Sequence, residues 1–91
     1  MLTDCHIHAD SYRADELKAV LNRAREGGVT KFIGVGESLV SSKLTVAAAV
    51  ETDGLYAGVG VHPWQADTVR GDTIEQLRDV AQSSEKVVCI G

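Results

Sequence analysis

Apolar positions along this 91-residue chain switch repeatedly between two spacings. Residues 2–7 are a short apolar-and-polar run that reads as a strand. Over 14–26, Ala14, Leu17, Val20, Leu21 and Ala24 recur at helical spacing, and Asp15, Glu16, Lys18, Arg23, Arg25 and Glu26 fill the opposite face. Gly27-Gly28 then supplies a helix stop, because glycine adopts a left-handed cap without a Cβ penalty. Residues 31–35 predict a second strand through Phe32, Ile33 and Val35. Ser38 is placed to cap a second helix over roughly 39–52, with Leu39, Leu44, Val46, Ala47, Ala48 and Val50 as a broad apolar face and Asp53-Gly54 at its end. Residues 55–61 predict a third strand. Asp72 and Glu75 have capping-box spacing at the head of a third helix, whose expected buried stripe is Ile74, Leu77, Val80 and Ala81. Ser83-Ser84 lead into a fourth, almost wholly apolar strand at 86–90.

Strand and helix therefore alternate four times and three times, at a period of about 25–30 residues, the size of one βα unit. Such alternation predicts a parallel sheet with right-handed crossovers. The nearly continuous apolar strands fit a sheet covered on both faces. No linker, low-complexity run or sequence repeat interrupts the pattern, so a single domain over residues 1–91 is expected.

Composition narrows the partners more than the fold. Apolar residues make up 44% and charged residues 24%, which is ordinary for a globular chain, while aromatics are only 4%. The core must therefore be built from Val, Ile, Leu and Ala. A net charge of -4 argues against a general polyanion-binding surface, but not against a phosphate substrate whose charge is met by divalent cations. No run approaches the roughly 20 apolar residues of a membrane span, and no basic segment precedes an apolar stretch as in a signal peptide. A cytoplasmic protein with no membrane partner is expected. Cys5 and Cys89 are expected to be buried, reduced thiols.

The candidate chemistry is concentrated in Asp4-Cys5-His6-Ile7-His8-Ala9-Asp10. Strict strand alternation puts His6, His8 and Asp4 on one face and Cys5 and Ile7 on the other. Two imidazoles on one side of a strand end form half of a divalent-metal site, since three or four protein ligands are usual. Gly34-Val35-Gly36-Glu37 follows the second strand and His62-Pro63-Trp64 the third. Parallel α/β folds build sites at these carboxyl ends. The Gly34-x-Gly36 and Gly58-x-Gly60 pairs lack a third spaced glycine and read as tight turns rather than nucleotide fingerprints.

These residues resemble the TatD-type metal-dependent hydrolases of the amidohydrolase superfamily. Asp4-Cys5-His6-Ile7-His8 is similar to the family's opening Asp-x-His-x-His motif. Gly60-Val61-His62-Pro63 is similar to its Gly-x-His-Pro motif, and Val88-Cys89-Ile90-Gly91 to the approach to its Ile-Gly-Glu motif. His-x-His alone also opens metallophosphoesterases of the polymerase and histidinol phosphatase type; the Gly-Val-His-Pro-Trp run favours TatD. The resemblance implies a partial (β/α)₈ barrel, of which this chain would supply four strands and three helices, complete barrels averaging about 250 residues.

The resemblance further implies a deoxyribonuclease-like activity on a phosphodiester or DNA substrate, by water activated at one or two divalent cations such as Mg²⁺, Mn²⁺ or Zn²⁺. His6 and His8 carry over as metal ligands. His62 precedes a proline in a loop at the active face and is expected to contact substrate or support the ligands; Asp4 and Asp10 are placed to orient the imidazoles or shape the loop, and Asp10 equally to be a helix-entry residue or an exposed acid. The family's bridging glutamate would be the next residue after Gly91, and its later histidines and aspartate would follow. The expectation is thus a domain truncated after its fourth strand. Alone it would be inactive, and it would either self-associate as a non-catalytic half-barrel or require the missing C-terminal half.

Overall fold

A computed structural model describes residues 2–91. Strands β1 (Leu2–Ile7), β2 (Val29–Val35), β3 (Leu55–Val59) and β4 (Val87–Ile90) form one parallel sheet in the order β1-β2-β3-β4. Helices α1 (Ala14–Glu26), α2 (Leu39–Val50) and α3 (Thr73–Gln82) alternate with them, and two 3₁₀ turns, Ala9–Ser11 and Pro63–Thr68, follow β1 and β3. Each strand lies beside its neighbour in sequence, the arrangement of successive units of a (β/α) barrel, so the fold is an α/β partial barrel.

The core sits on one face of the sheet. Phe32, Leu55, Ala57 and Val59 alternate along β2 and β3 and meet Leu17 and Leu21 of α1, Val46 and Ala49 of α2 and Val80 of α3. Burying each large apolar side chain here contributes about 1.5–3 kcal/mol. The intervening Ile33, Val35 and Tyr56 are only half-buried, and Val88 and Ile90 of β4 are exposed. Coverage of both faces is therefore not what the strands have. Cys5 and Cys89 are accordingly exposed rather than buried, and both are unpaired.

Helix α2 departs most from its sequence pattern. Leu44, Ala47 and Val50 face outward, and the buried positions are Ser42, Thr45, Val46 and Ala49. Small side chains let the helix lie close on the sheet, where a Cβ on Gly34 would come within 3.0 Å of Thr45 Cγ2. Gly36 is closer still: a Cβ there would overlap Ser42 Oγ and stand 2.6 Å from Ser42 Cα. The buried hydroxyls are satisfied. Thr45 Oγ1 donates to Ser41 O at 2.8 Å, and Ser42 Oγ both accepts from Gly60 N–H and donates to Gly60 O, each at 3.1 Å. The Ser38 cap forms as expected, with its hydroxyl accepting from Ser41 N–H.

The head of α3 is built differently from the capping-box expectation. Asp72 is already helical in its backbone and makes no side-chain cap. Its carboxylate instead accepts from Gln76 Nε2 at 2.7 Å, while Thr73 Oγ1 accepts from Arg70 N–H at 2.7 Å. Ile74 is exposed, leaving Val80 as the buried member of the expected stripe with Leu77 and Ala81 half-buried.

At the C-terminus of α1, Gly28 takes φ +99°, as the double-glycine stop requires. The end of the sheet remote from the strand carboxyl termini is tied by two cations. Arg25 donates to Asp53 O and lies over the Phe32 ring, and Lys86 donates to Thr52 O and lies over Tyr56.

Candidate metal centre

The register of β1 on β2 positions the histidines. Asp4 pairs with Phe32, a core residue, and Ile7 pairs with Gly34, so β1 carries one residue more than β2 over this interval. This bulge resets the alternation. Ile7 packs against the core while His6 and His8 line a cleft on the other side. Their ring centroids are 5.1 Å apart and nearly perpendicular. Asp4 does not share their face, contrary to the alternation argument. Its Oδ1 turns back to accept from the His6 backbone N–H at 3.1 Å and so braces the bulge rather than an imidazole.

The cleft has a volume of about 380 Å³ and opens at the carboxyl ends of the strands. Glu37 enters it from the end of β2, its Oε1 lying 3.3 Å from His8 Nδ1. The Glu37 backbone is held at both ends: its N–H donates to Ser41 Oγ at 2.6 Å, and its carbonyl accepts from His62 N–H at 2.7 Å. The loops after β2 and β3 are thereby joined, and Ser42 fastens both to α2 through Gly60. Glu37 was not among the expected site residues. Its neighbour His8 follows β1, far away in the sequence, so no local spacing announces the contact.

His62 lines the same cleft as the residue preceding the 3₁₀ turn. Its Nδ1 accepts from Trp64 N–H at 3.1 Å. By that hydrogen-bond assignment the neutral ring carries its proton on Nε2 and presents a donor rather than a lone pair there. Trp64 is 87% exposed at the rim, its ring 4.8 Å from that of His62. Cys89 is a further lining residue that the expectation of a buried thiol concealed.

Asp10 lies outside this cleft. It sits in the first 3₁₀ turn and lines a separate cavity of about 180 Å³ with Tyr12, Leu17, Leu44 and Ala48. Its Oδ1 is buried with no hydrogen-bond partner among the described residues. Of the roles expected of it, orienting the imidazoles has no contact here, and its place is in the turn that follows β1.

Two neighbouring imidazoles open to a cleft are suitable donors for a divalent cation. Among the described residues no group of three or more His, Cys, Asp or Glu side chains is disposed to hold a metal. The donors fit such an ion in kind, and they form part of a ligand set rather than a closed one.

A parallel α/β partial barrel with a histidine-lined cleft at its strand carboxyl ends defines the general class of barrel proteins that place their chemistry on that face. More specifically, the chain belongs to the family described as TatD related DNase, whose family model matches residues 3–91. It is 29% identical to "Uncharacterized metal-dependent hydrolase TatD" of Mycobacterium tuberculosis, over 99% of this chain and 35% of that protein. It is 31% identical to "Uncharacterized metal-dependent hydrolase YjjV" of Escherichia coli, over 98% and 34%. With "3'-5' ssDNA/RNA exonuclease TatD" of Cronobacter sakazakii it shares 35% identity, over 79% and 27%. The chain thus spans about a third of the length of the curated relatives it matches. The family is one of enzymes, with members named as metal-dependent hydrolases. No helix among the described residues is long and apolar enough to cross a membrane.

Proposed function

We propose that this chain supplies the first-strand part of a divalent-metal site in a hydrolase acting on nucleic-acid phosphodiesters. The observation that carries the reading is the convergence of His6 and His8 on the cleft, brought there by the β1 bulge. The family membership and the exonuclease names of several relatives support it. His6 and His8 would hold the ion, Mg²⁺, Mn²⁺ or Zn²⁺, in the neutral imidazole form, with Glu37 beside His8 Nδ1 steadying that ring. A bound divalent cation supplies Lewis-acid polarisation of the phosphate and activation of water. The His62 Nε2–H is the group of this chain suited to donate to a phosphate oxygen.

By itself the 91-residue chain is proposed to be inactive, because two imidazoles do not fix an ion in defined geometry. The two unpaired thiols fit a reducing, cytoplasmic location.

Calorimetric titration with Mn²⁺ or Zn²⁺ tests the centre. Binding that disappears in a His6→Ala/His8→Ala variant is expected, and unchanged affinity in that variant rejects it. A nuclease assay on the same sample should show no turnover. Metal-dependent turnover lost in the double variant would contradict the inactivity and mean that association completes the site. A self-associating reading is favoured separately by the exposure of Leu2 on β1 and of Val88 and Ile90 on β4. Sedimentation over a hundredfold concentration range separates it from a monomer.

A further inference from the structure

We propose that Trp64 is a stacking platform for one unpaired nucleobase, set at the rim of the histidine cleft. The inference rests on the nucleic-acid reading above and names the part of the substrate that this chain recognises.

An indole is among the largest apolar surfaces a chain can bury, yet Trp64 is the most exposed of the large hydrophobic side chains among the described residues, at 87%. The other strongly exposed ones on helices, Val40, Leu44, Val50 and Ile74, lie on α2 and α3. Trp64 instead lines the cleft that holds His6, His8 and His62. Its backbone is also fixed. Pro63 starts the 3₁₀ turn, Trp64 N–H is bound by His62 Nδ1, and Gln65 N–H donates to His62 O at 2.7 Å. The indole leans against the His62 ring at 59° and leaves most of its surface in water. A rigidly carried aromatic ring loses little freedom when a ligand covers it.

The chemistry that fits such a surface beside phosphate-seeking groups is a nucleobase whose own phosphate reaches into the cleft. Every base offers a π-face, so stacking tolerates sequence. A base inside a duplex is already stacked on its neighbours, so the platform selects single strands or frayed ends.

Trp64 is the chain's single tryptophan, so its fluorescence reports this ring alone. The chain, with Mg²⁺ present, is titrated with oligothymidylate, with an abasic oligomer of the same length, and with a blunt duplex. Oligothymidylate should quench the emission and bind about tenfold or more tightly than the abasic oligomer, with the duplex weaker than the single strand. Anisotropy of a labelled oligomer should show that advantage lost in Trp64→Ala and largely kept in Trp64→Phe, with circular dichroism confirming that both variants fold. Equal binding of abasic and base-bearing oligomers, undiminished binding by Trp64→Ala, or no binding of any oligomer overturns the proposal. The last would mean that the indole packs against protein rather than a base.

The His6→Ala/His8→Ala variant separates the two readings. Divalent-ion affinity that survives those substitutions rejects the metal centre and leaves base-dependent quenching standing. Histidine-dependent metal binding without base-dependent quenching rejects the stacking alone.

Discussion

On β3, Leu55, Ala57 and Val59 are sealed beneath the helices, whereas His6 on β1 is exposed and His8 just after it half-exposed in an open cleft. The same sheet thus has one face spent on packing and one, bearing Ile33, Val35 and Tyr56 beside the histidines, that is only partly covered. The packed face admits little change, because its volume is already filled by small residues and glycines. The cleft face holds groups whose removal leaves few contacts unsatisfied. Stability and chemistry are therefore expected to separate by face rather than by position along the chain, and substitutions on the two faces should give opposite profiles.

The sharpest contrast is Phe32→Ala on the packed side. Phe32 is 2% exposed, and its truncation should cost about 3–5 kcal/mol. That is a large share of the roughly 5–15 kcal/mol available to a domain, so urea unfolding should find a midpoint far below that of the parent. A midpoint near that of the parent would show that the core is not the stabilising face.

Next come Gly36 and Ser42, where packing and cleft meet. Gly36→Ala forces a Cβ onto Ser42 and should cost about 1–3 kcal/mol. Ser42→Ala leaves the Gly60 N–H without its partner, at a similar cost of about 1–3 kcal/mol. Both should also shift the amide resonances of Glu37 and His62, because α2 is fastened to those loops through these residues. Loss of stability without movement at Glu37 and His62 would break the link between the faces.

The smallest effect on stability is expected for His6→Ala/His8→Ala, within about 0.5 kcal/mol of the parent as for surface positions lacking special contacts. The same variant should lose its divalent-ion binding. A strongly destabilised double variant would mean that the imidazoles hold the fold together and would collapse the distinction between the faces.

Much of this division was legible in the sequence, because it rests on periodicity. The strands and helices fall where the apolar spacing puts them, and the histidine pair stands at a strand end. What escaped depended on contacts between distant segments. Strand alternation assigned Asp4 to the histidine face because a bulge is a property of the pairing with β2, not of β1 alone. Ser42 and Thr45 were not expected inside because their burial requires Gly60 N–H, Ser41 O and the close approach allowed by Gly34 and Gly36. Cys5 and Cys89 read as core because one face of the sheet was assumed to be covered. Ile74 was assigned to a buried stripe on spacing, but α3 turns Val80 inward and leaves Ile74 in solvent.

The bulge in β1 also makes the site sensitive to counting rather than to chemistry. Asp4 and Ile7 are held to β2 by their pairing with Phe32 and Gly34. Removing Cys5 would leave His6 opposite Ile33 and Ile7 opposite Gly34, so both imidazoles would keep the cleft face, whereas removing Ile7 would bring His8 into register with Gly34. The His8 ring would then turn from the cleft toward the helices, with every cleft residue still present in the chain. For this protein the codon lost from the first strand therefore matters more than the number lost, because one deletion merely straightens the strand while another changes which side of the sheet an imidazole stands on.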